Sequence, residues 1–142
     1  MAPRTHQNSL IATLVATAVL IAGCVTAKVY DGPERPPGDI ATIRLPVYDS
    51  GFPGLRIHKV DETLIPRLTN EVKVSPGMHN LLISCNFSEQ LVTEHAHGRA
   101  TLRFMAASGR SYKVRTSVSK GRCMLWIEDA ATGAIVSEQV EG

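Results

Sequence analysis

Three cysteines and five histidines are the side chains of this 142-residue chain best suited to covalent or metal chemistry. Cys24 stands directly behind Leu20-Ile21-Ala22-Gly23 at the end of an apolar run, where a thiol can accept a lipid group. Cys85 and Cys123 are the remaining pair. In an oxidising compartment an even pair in a small secreted domain usually joins. Closing a loop of that length would stabilise by about 4 kcal/mol in the chain-entropy treatment. Two separate buried thiols are the alternative. Neither cysteine sits in a CxxC-type pair, which argues against a metal site. Glu94-His95-Ala96-His97 places two histidines two apart, and beyond the N-terminal segment only His58 and His79 are left to complete three or four ligands. No nucleophile motif, Gly-rich phosphate loop or paired-carboxylate signature stands out. The residues therefore imply no enzyme, no cofactor and no metal.

The first 23 residues read as a targeting segment. Met1–Ser9 carries Arg4, and the apolar run from Leu10 to Ala22 is broken only by Thr13 and Thr17. It is shorter than the roughly 20 residues a spanning helix needs. A short apolar run followed by small residues is a cleavable signal. With Cys24 next, the pattern is the lipobox of bacterial lipoproteins: the thiol takes the lipid, the peptidase cuts before Cys24, and the new amine is acylated. An uncleaved anchor or an ordinary signal with a chance cysteine are the other readings. More than one acyl chain holds a protein on a membrane without a protein span. Val25, not aspartate, follows Cys24, so the outer membrane is favoured over the inner.

What must position these groups is one small domain. Removing residues 1–23 leaves 119 residues, enough for a single core. The 15 basic and 13 acidic residues of the full chain nearly balance, so net charge calls for no nucleic acid. Residues 24–39 are expected to tether the domain, because Lys28 to Asp39 is dominated by proline and glycine. Val29-Tyr30 could still pack on the domain.

From residue 40 to 142 apolar residues recur with period two, the spacing of half-buried strands. Strands are expected over Ile40–Val47, Leu55–Val60, Thr63–Ile65, Met78–Phe87, Arg99–Ala106, Ser111–Ser119, Arg122–Glu128 and Ala134–Val140, and Glu71–Val74 leads into a Ser75-Pro76-Gly77 turn. Pro66 should end the third, and Tyr48–Gly54 and Ser88–His97 read as loops. No 3.6-residue period lasts three turns. The fold expected is all-β, a small antiparallel sandwich or related barrel. Cys85 falls on the apolar side of its strand with Leu81, Ile83 and Phe87, and Cys123 on that of Leu125 and Ile127. A buried bridge needs both parities to be right.

The same parity aims the basic residues outward. Gly98 to Ile127 contains no Asp or Glu but seven Lys and Arg. If Arg99–Ala106 and Ser111–Ser119 form a hairpin, Arg99, Arg103, Lys113 and Arg115 share one solvent face. That face is either a patch for an anionic lipid, glycan or protein, or a solvated sheet surface. Met124 and Trp126 fall opposite Cys123, where Trp126 either anchors an interface or is covered by a terminal segment.

Two resemblances add to this. The lipobox, Tyr30-Asp31-Gly32-Pro33, Asp39-Ile40-Ala41, Val74-Ser75-Pro76-Gly77-Met78-His79, Gly109 with Tyr112, and Trp126 through Asp129 to Thr132-Gly133 resemble a broad, poorly characterised group of Gram-negative envelope lipoproteins. That likeness implies a small lipid-anchored β domain and no chemistry. Ala107-Ser108-Gly109-Arg110-Ser111-Tyr112 followed by Lys120-Gly121 resembles the motif of membrane-bound inhibitors of c-type lysozyme. By that likeness Ser108 would hydrogen-bond a catalytic carboxylate of the lysozyme and Lys120 would pair with its charge. The chain is thus expected to be a non-enzymatic envelope lipoprotein, with a lysozyme inhibitor as the alternative.

Overall fold

The structure is a computed structural model that describes residues 25–46, 54–87 and 96–142. The signal segment, Cys24, most of the Tyr48–Gly54 stretch and His95 lie outside the described residues.

Alternating sequence produces the expected β architecture. The strands are β1 Val25–Val29, β2 Ala41–Arg44, β3 Leu55–Val60, β4 Thr63–Leu64, β5 Thr69–Val74, β6 Gly77–Phe87, β7 Ala96–Ala106, β8 Ser111–Ser119, β9 Arg122–Asp129 and β10 Val140–Glu141, with one 3-10 turn at Pro37–Asp39. They form a six-stranded sheet in the order β1-β5-β2-β8-β9-β10 and a four-stranded sheet in the order β4-β3-β6-β7. Only the β1–β5 and β2–β8 pairings are parallel. The two sheets pack as a small sandwich. Ile43, Val72, Val74, Leu125 and Ile127 from one sheet meet Leu55, Ile57, Leu81, Ile83, Leu102 and Phe104 from the other, all fully buried. Each such side chain contributes roughly 1.5–3 kcal/mol when removed from water. Phe104 and Tyr112 meet edge to face at 5.0 Å between ring centres, across the two sheets.

The expected hairpin between Arg99–Ala106 and Ser111–Ser119 does not form: β7 and β8 belong to different sheets. The start of β2 captures the connection. Gly109 N–H donates to Ile40 O at 2.8 Å, Thr42 N–H to Arg110 O at 3.0 Å, and the Ser108 hydroxyl to Gly38 O at 2.6 Å. Gly109 turns the corner at φ +71, where a side chain would be strained. The Tyr112 hydroxyl accepts from Ala107 N–H at 2.8 Å and clamps the turn from inside. Leaving the corner, β8 pairs with β2, in register Ile43 to Tyr112.

Two further expectations change. The proline- and glycine-rich stretch is not a free tether. Val25–Val29 runs parallel to β5 as an edge strand, and Ala27 and Val29 pack on the core. After it, Lys28 and Arg35 lie 5.0 and 4.8 Å from the Tyr30 ring centre, and Glu34 pairs with Lys73. The Ala134–Val140 strand is reduced to single bridges, Ile135 to Glu128 and Ser137 to Phe104, before β10. That segment straddles the gap between β9 and β7, one in each sheet, so it cannot keep a ladder with either.

Cys85 of β6 and Cys123 of β9 form the disulfide, Cα atoms 6.6 Å apart, joining the two inner faces. Two carboxylates lock turns. The Asp129 carboxylate accepts from Ala131 and Thr132 N–H. Thr132 N–H, against opposing burial and with help from Ala131 N–H and Arg110, holds its pKa below the usual carboxylate value. Burial pushes the Asp61 carboxyl up, but Asn80 N–H and the His79 ring outweigh it and the net direction is down.

Reducing the Cys85–Cys123 bridge, or replacing both cysteines with serine, should lower unfolding stability by about 4 kcal/mol in urea titrations. Because the folded carboxyls titrate below their unfolded values near 3.9, their stabilisation is complete above about pH 5 and lost as pH falls through the folded values. Asp129→Asn should therefore flatten the acid limb of a pH–stability curve measured by circular dichroism.

Candidate functional site

Sheet membership divides the residues aimed outward. Lys113, Arg115 and Trp126 lie on the outer face of the six-stranded sheet, and Arg99 and Arg103 on that of the four-stranded sheet. The anticipated single patch is thus two faces, separated by the two sheets and the core between them, whose backbones pack about 10 Å apart.

On the six-stranded sheet, the arginines are paired with carboxylates. Arg115 stands directly across from Trp126. The Trp126 indole N–H donates to Glu128 Oε1 at 2.9 Å, and Arg115 Nε lies 3.3 Å from Glu128 Oε2. One carboxylate therefore serves both, and Trp126 is half-buried with its polar handle satisfied. Lys113 pairs in register with Arg44 on one side and Glu128 on the other. Arg44 is bonded to Glu71, Arg110 faces Asp129, and Arg122 pairs with Glu141.

The four-stranded sheet is different. None of its strands contains Asp or Glu, while β3 and β7 supply Arg56, Lys59, Arg99 and Arg103. Register sets Arg56, Ser84 and Arg99 in one row across β3, β6 and β7. A β-bulge after Ile57 turns both His58 and Lys59 outward and returns Val60 to the core. His58 Nε2 is 2.7 Å from Ser84 Oγ. Burial, then the charges of Arg56 and Arg99, pushes the His58 pKa below its ordinary value. Arg56 Nε is buried and has no hydrogen-bond partner, and among the described residues Arg99 and Arg103 form no ion pair. Beside this row, Ser84, Asn86, His97, Gly98 and Arg99 line a shallow open depression. Arg56, His58 and Ser84 were not singled out from sequence as site residues. Their outward parity was visible, but only the register places them in one row with Arg99.

The other candidates are dispersed. Ser108 lies before β8 and Lys120 after it, at opposite ends of a nine-residue strand about 30 Å long. The Ser108 hydroxyl is also engaged by Gly38. Nothing brings the pair to one cleft. His79 is inside the β6 end, with Nδ1 2.7 Å from Asp61 Oδ2 and Nε2 2.7 Å from Ser75 O, so it pins a turn. It stands seven residues along β6 from Asn86, the strand partner of His97, which is roughly 23 Å. Among the described residues no group of three His, Cys, Asp or Glu side chains converges.

No known protein family, curated protein or solved structure matches the chain.

Trp126 is the only tryptophan, so its fluorescence reports on the six-stranded face alone. Glu128→Ala should free both the indole N–H and Arg115. Quenching by iodide should rise clearly, and an unchanged quenching constant would contradict the shared carboxylate.

Proposed function

We propose that the protein is a lipid-anchored lipoprotein of a Gram-negative envelope, held at the outer membrane through Cys24 and acting as a non-enzymatic interaction module. The observation that carries this reading is the Cys85–Cys123 bridge between the sheets, because such bonds persist in oxidising compartments. It agrees with the lipobox ending at Cys24. The first strand begins at Val25, the very next residue, so acyl chains at Cys24 would hold the edge of the six-stranded sheet close to the bilayer. The contact face is the outer surface of the four-stranded sheet, whose strands contain no Asp or Glu and which carries Arg99 and Arg103, rather than a patch shared with Lys113, Arg115 and Trp126. Its partner is an envelope component bearing negative charge.

The inhibitor reading needs Ser108 and Lys120 in one lysozyme cleft, and their positions at opposite ends of β8 weigh against it. Inhibition of a c-type lysozyme by micromolar protein would restore it.

Mass spectrometry of the protein from the membrane fraction should find an acylated N-terminal Cys24, and Cys24→Ser should move the protein to the soluble fraction. An intact Met1 or an unmodified Cys24 would overturn the anchor.

A further inference from the structure

The geometry points to an anion site on the outer face of the four-stranded sheet, formed by Arg56, His58, Ser84 and Arg99 and suited to a phosphate group. This goes beyond the anchored-module reading and does not depend on Cys24 being acylated.

Register places the arms of the site. Arg56 is the strand partner of Ser84, and Ser84 of Arg99, so the three Cα positions form one row across β3, β6 and β7. Neighbouring strands are about 4.8 Å apart, which sets the two arginines roughly 10 Å apart with Ser84 between them. Long side chains at that spacing can converge over the serine. The bulge after Ile57 adds His58 to the same surface, bonded to Ser84.

The donor inventory selects the ligand. Two guanidinium forks, an imidazole and a hydroxyl supply donors from several sides, and the four strands of this sheet contain no carboxylate to occupy them. A tetrahedral phosphate offers acceptor oxygens to both forks and the hydroxyl together. A planar carboxylate is filled by one fork. When His58 Nε2 carries the proton and donates to Ser84 Oγ, the Ser84 O–H is left to donate to the anion.

Two observations show that the cluster is incomplete by itself. Arg56 Nε is buried without an acceptor, an arrangement that costs folding free energy. Second, His58 feels Arg56 and Arg99 as repelling charges on top of its burial. An anion seated in the row would reverse that repulsion, and by linkage protonation of His58 would tighten binding as pH falls. The charged groups that act on His58 are Arg56 on its own strand and Arg99 on β7; β4 and β6 present none to it.

The test follows the His58 ring by NMR in the full chain in non-ionic detergent, its signal assigned by its loss in His58→Gln. Inorganic phosphate should raise the His58 pKa by about half a unit or more in a saturable way. Arg99→Ser, an exposed change that spares the core, should weaken the apparent affinity about tenfold, whereas Arg103→Ser, two rows away on the same face, should leave it unchanged. No shift with millimolar phosphate, a shift that never saturates, or equal loss in Arg99→Ser and Arg103→Ser would each overturn the site. Micelles doped with phosphatidate distinguish the source. Saturation at a lower phosphate concentration than with the inorganic ion assigns the group to a lipid headgroup, and equal concentrations assign it to free phosphate. Failure of the site would leave the acylation of Cys24 standing, since neither arm reads it.

Discussion

The corner at Ala107–Arg110 is where the chain leaves one sheet for the other, and the sandwich depends on it. A four-residue link after an eleven-residue strand would ordinarily close a hairpin. Here the backbone of Ile40–Thr42 takes its hydrogen bonds, the Tyr112 hydroxyl grips Ala107, and Gly109 supplies the left-handed turn. Once β8 is committed to β2, its inward residues Tyr112 and Val114 face Phe104 rather than extending its own sheet. The disulfide then joins β6 to β9 across the core, at the end of the sandwich opposite this corner. Corner and disulfide thus brace the two ends of one interface.

Putting β7 and β8 in separate sheets also separates two kinds of surface. The six-stranded sheet pairs its outer arginines with carboxylates, Arg44 with Glu71, Arg115 with Glu128 and Arg122 with Glu141, while Lys113 stands opposite Arg44. Such exposed pairs add little stability each, but they leave little net field. The four-stranded sheet has cations and no counter-charge within its strands. Arg56 and Arg99 flank β6 about 10 Å apart, and their mutual repulsion costs stability unless something absorbs it. A face that tolerates that cost, with a buried guanidinium donor unsatisfied, is where a negatively charged ligand contributes most.

The first and last described segments both pack on the sandwich. The N-terminal edge strand follows β5 and shields Ala27 and Val29. At the other end the chain bridges β9 at Ile135, β7 at Ser137 and β9 again at Val140, and Gly142 N–H bonds Cys123 O at 2.9 Å. Gly98 makes that last approach feasible, since a Cβ there would lie 2.0 Å from the Gly142 backbone. Neither arrangement was readable from composition. Proline and glycine in residues 28–39 signalled a linker, and Ala134–Val140 signalled a strand, because local patterns do not report what an edge will accept.

The sequence by itself determined parity. A period of two tells which side chains of a strand share a face, so Cys85 and Cys123 were aimed inward, Arg99, Arg103, Lys113 and Arg115 outward, and an all-β domain followed. It could not determine which strands are neighbours. Pairing is a contest among distant segments for backbone hydrogen bonds and buried area, decided by contacts such as Ile40 to Gly109 that are 69 positions apart. Sheet membership therefore split the anticipated basic patch, moved Ser108 away from Lys120, and set Arg56 and His58 beside Arg99. Only the folded register carries that information, because side chains become neighbours across a sheet through their partners and not through their place in the chain.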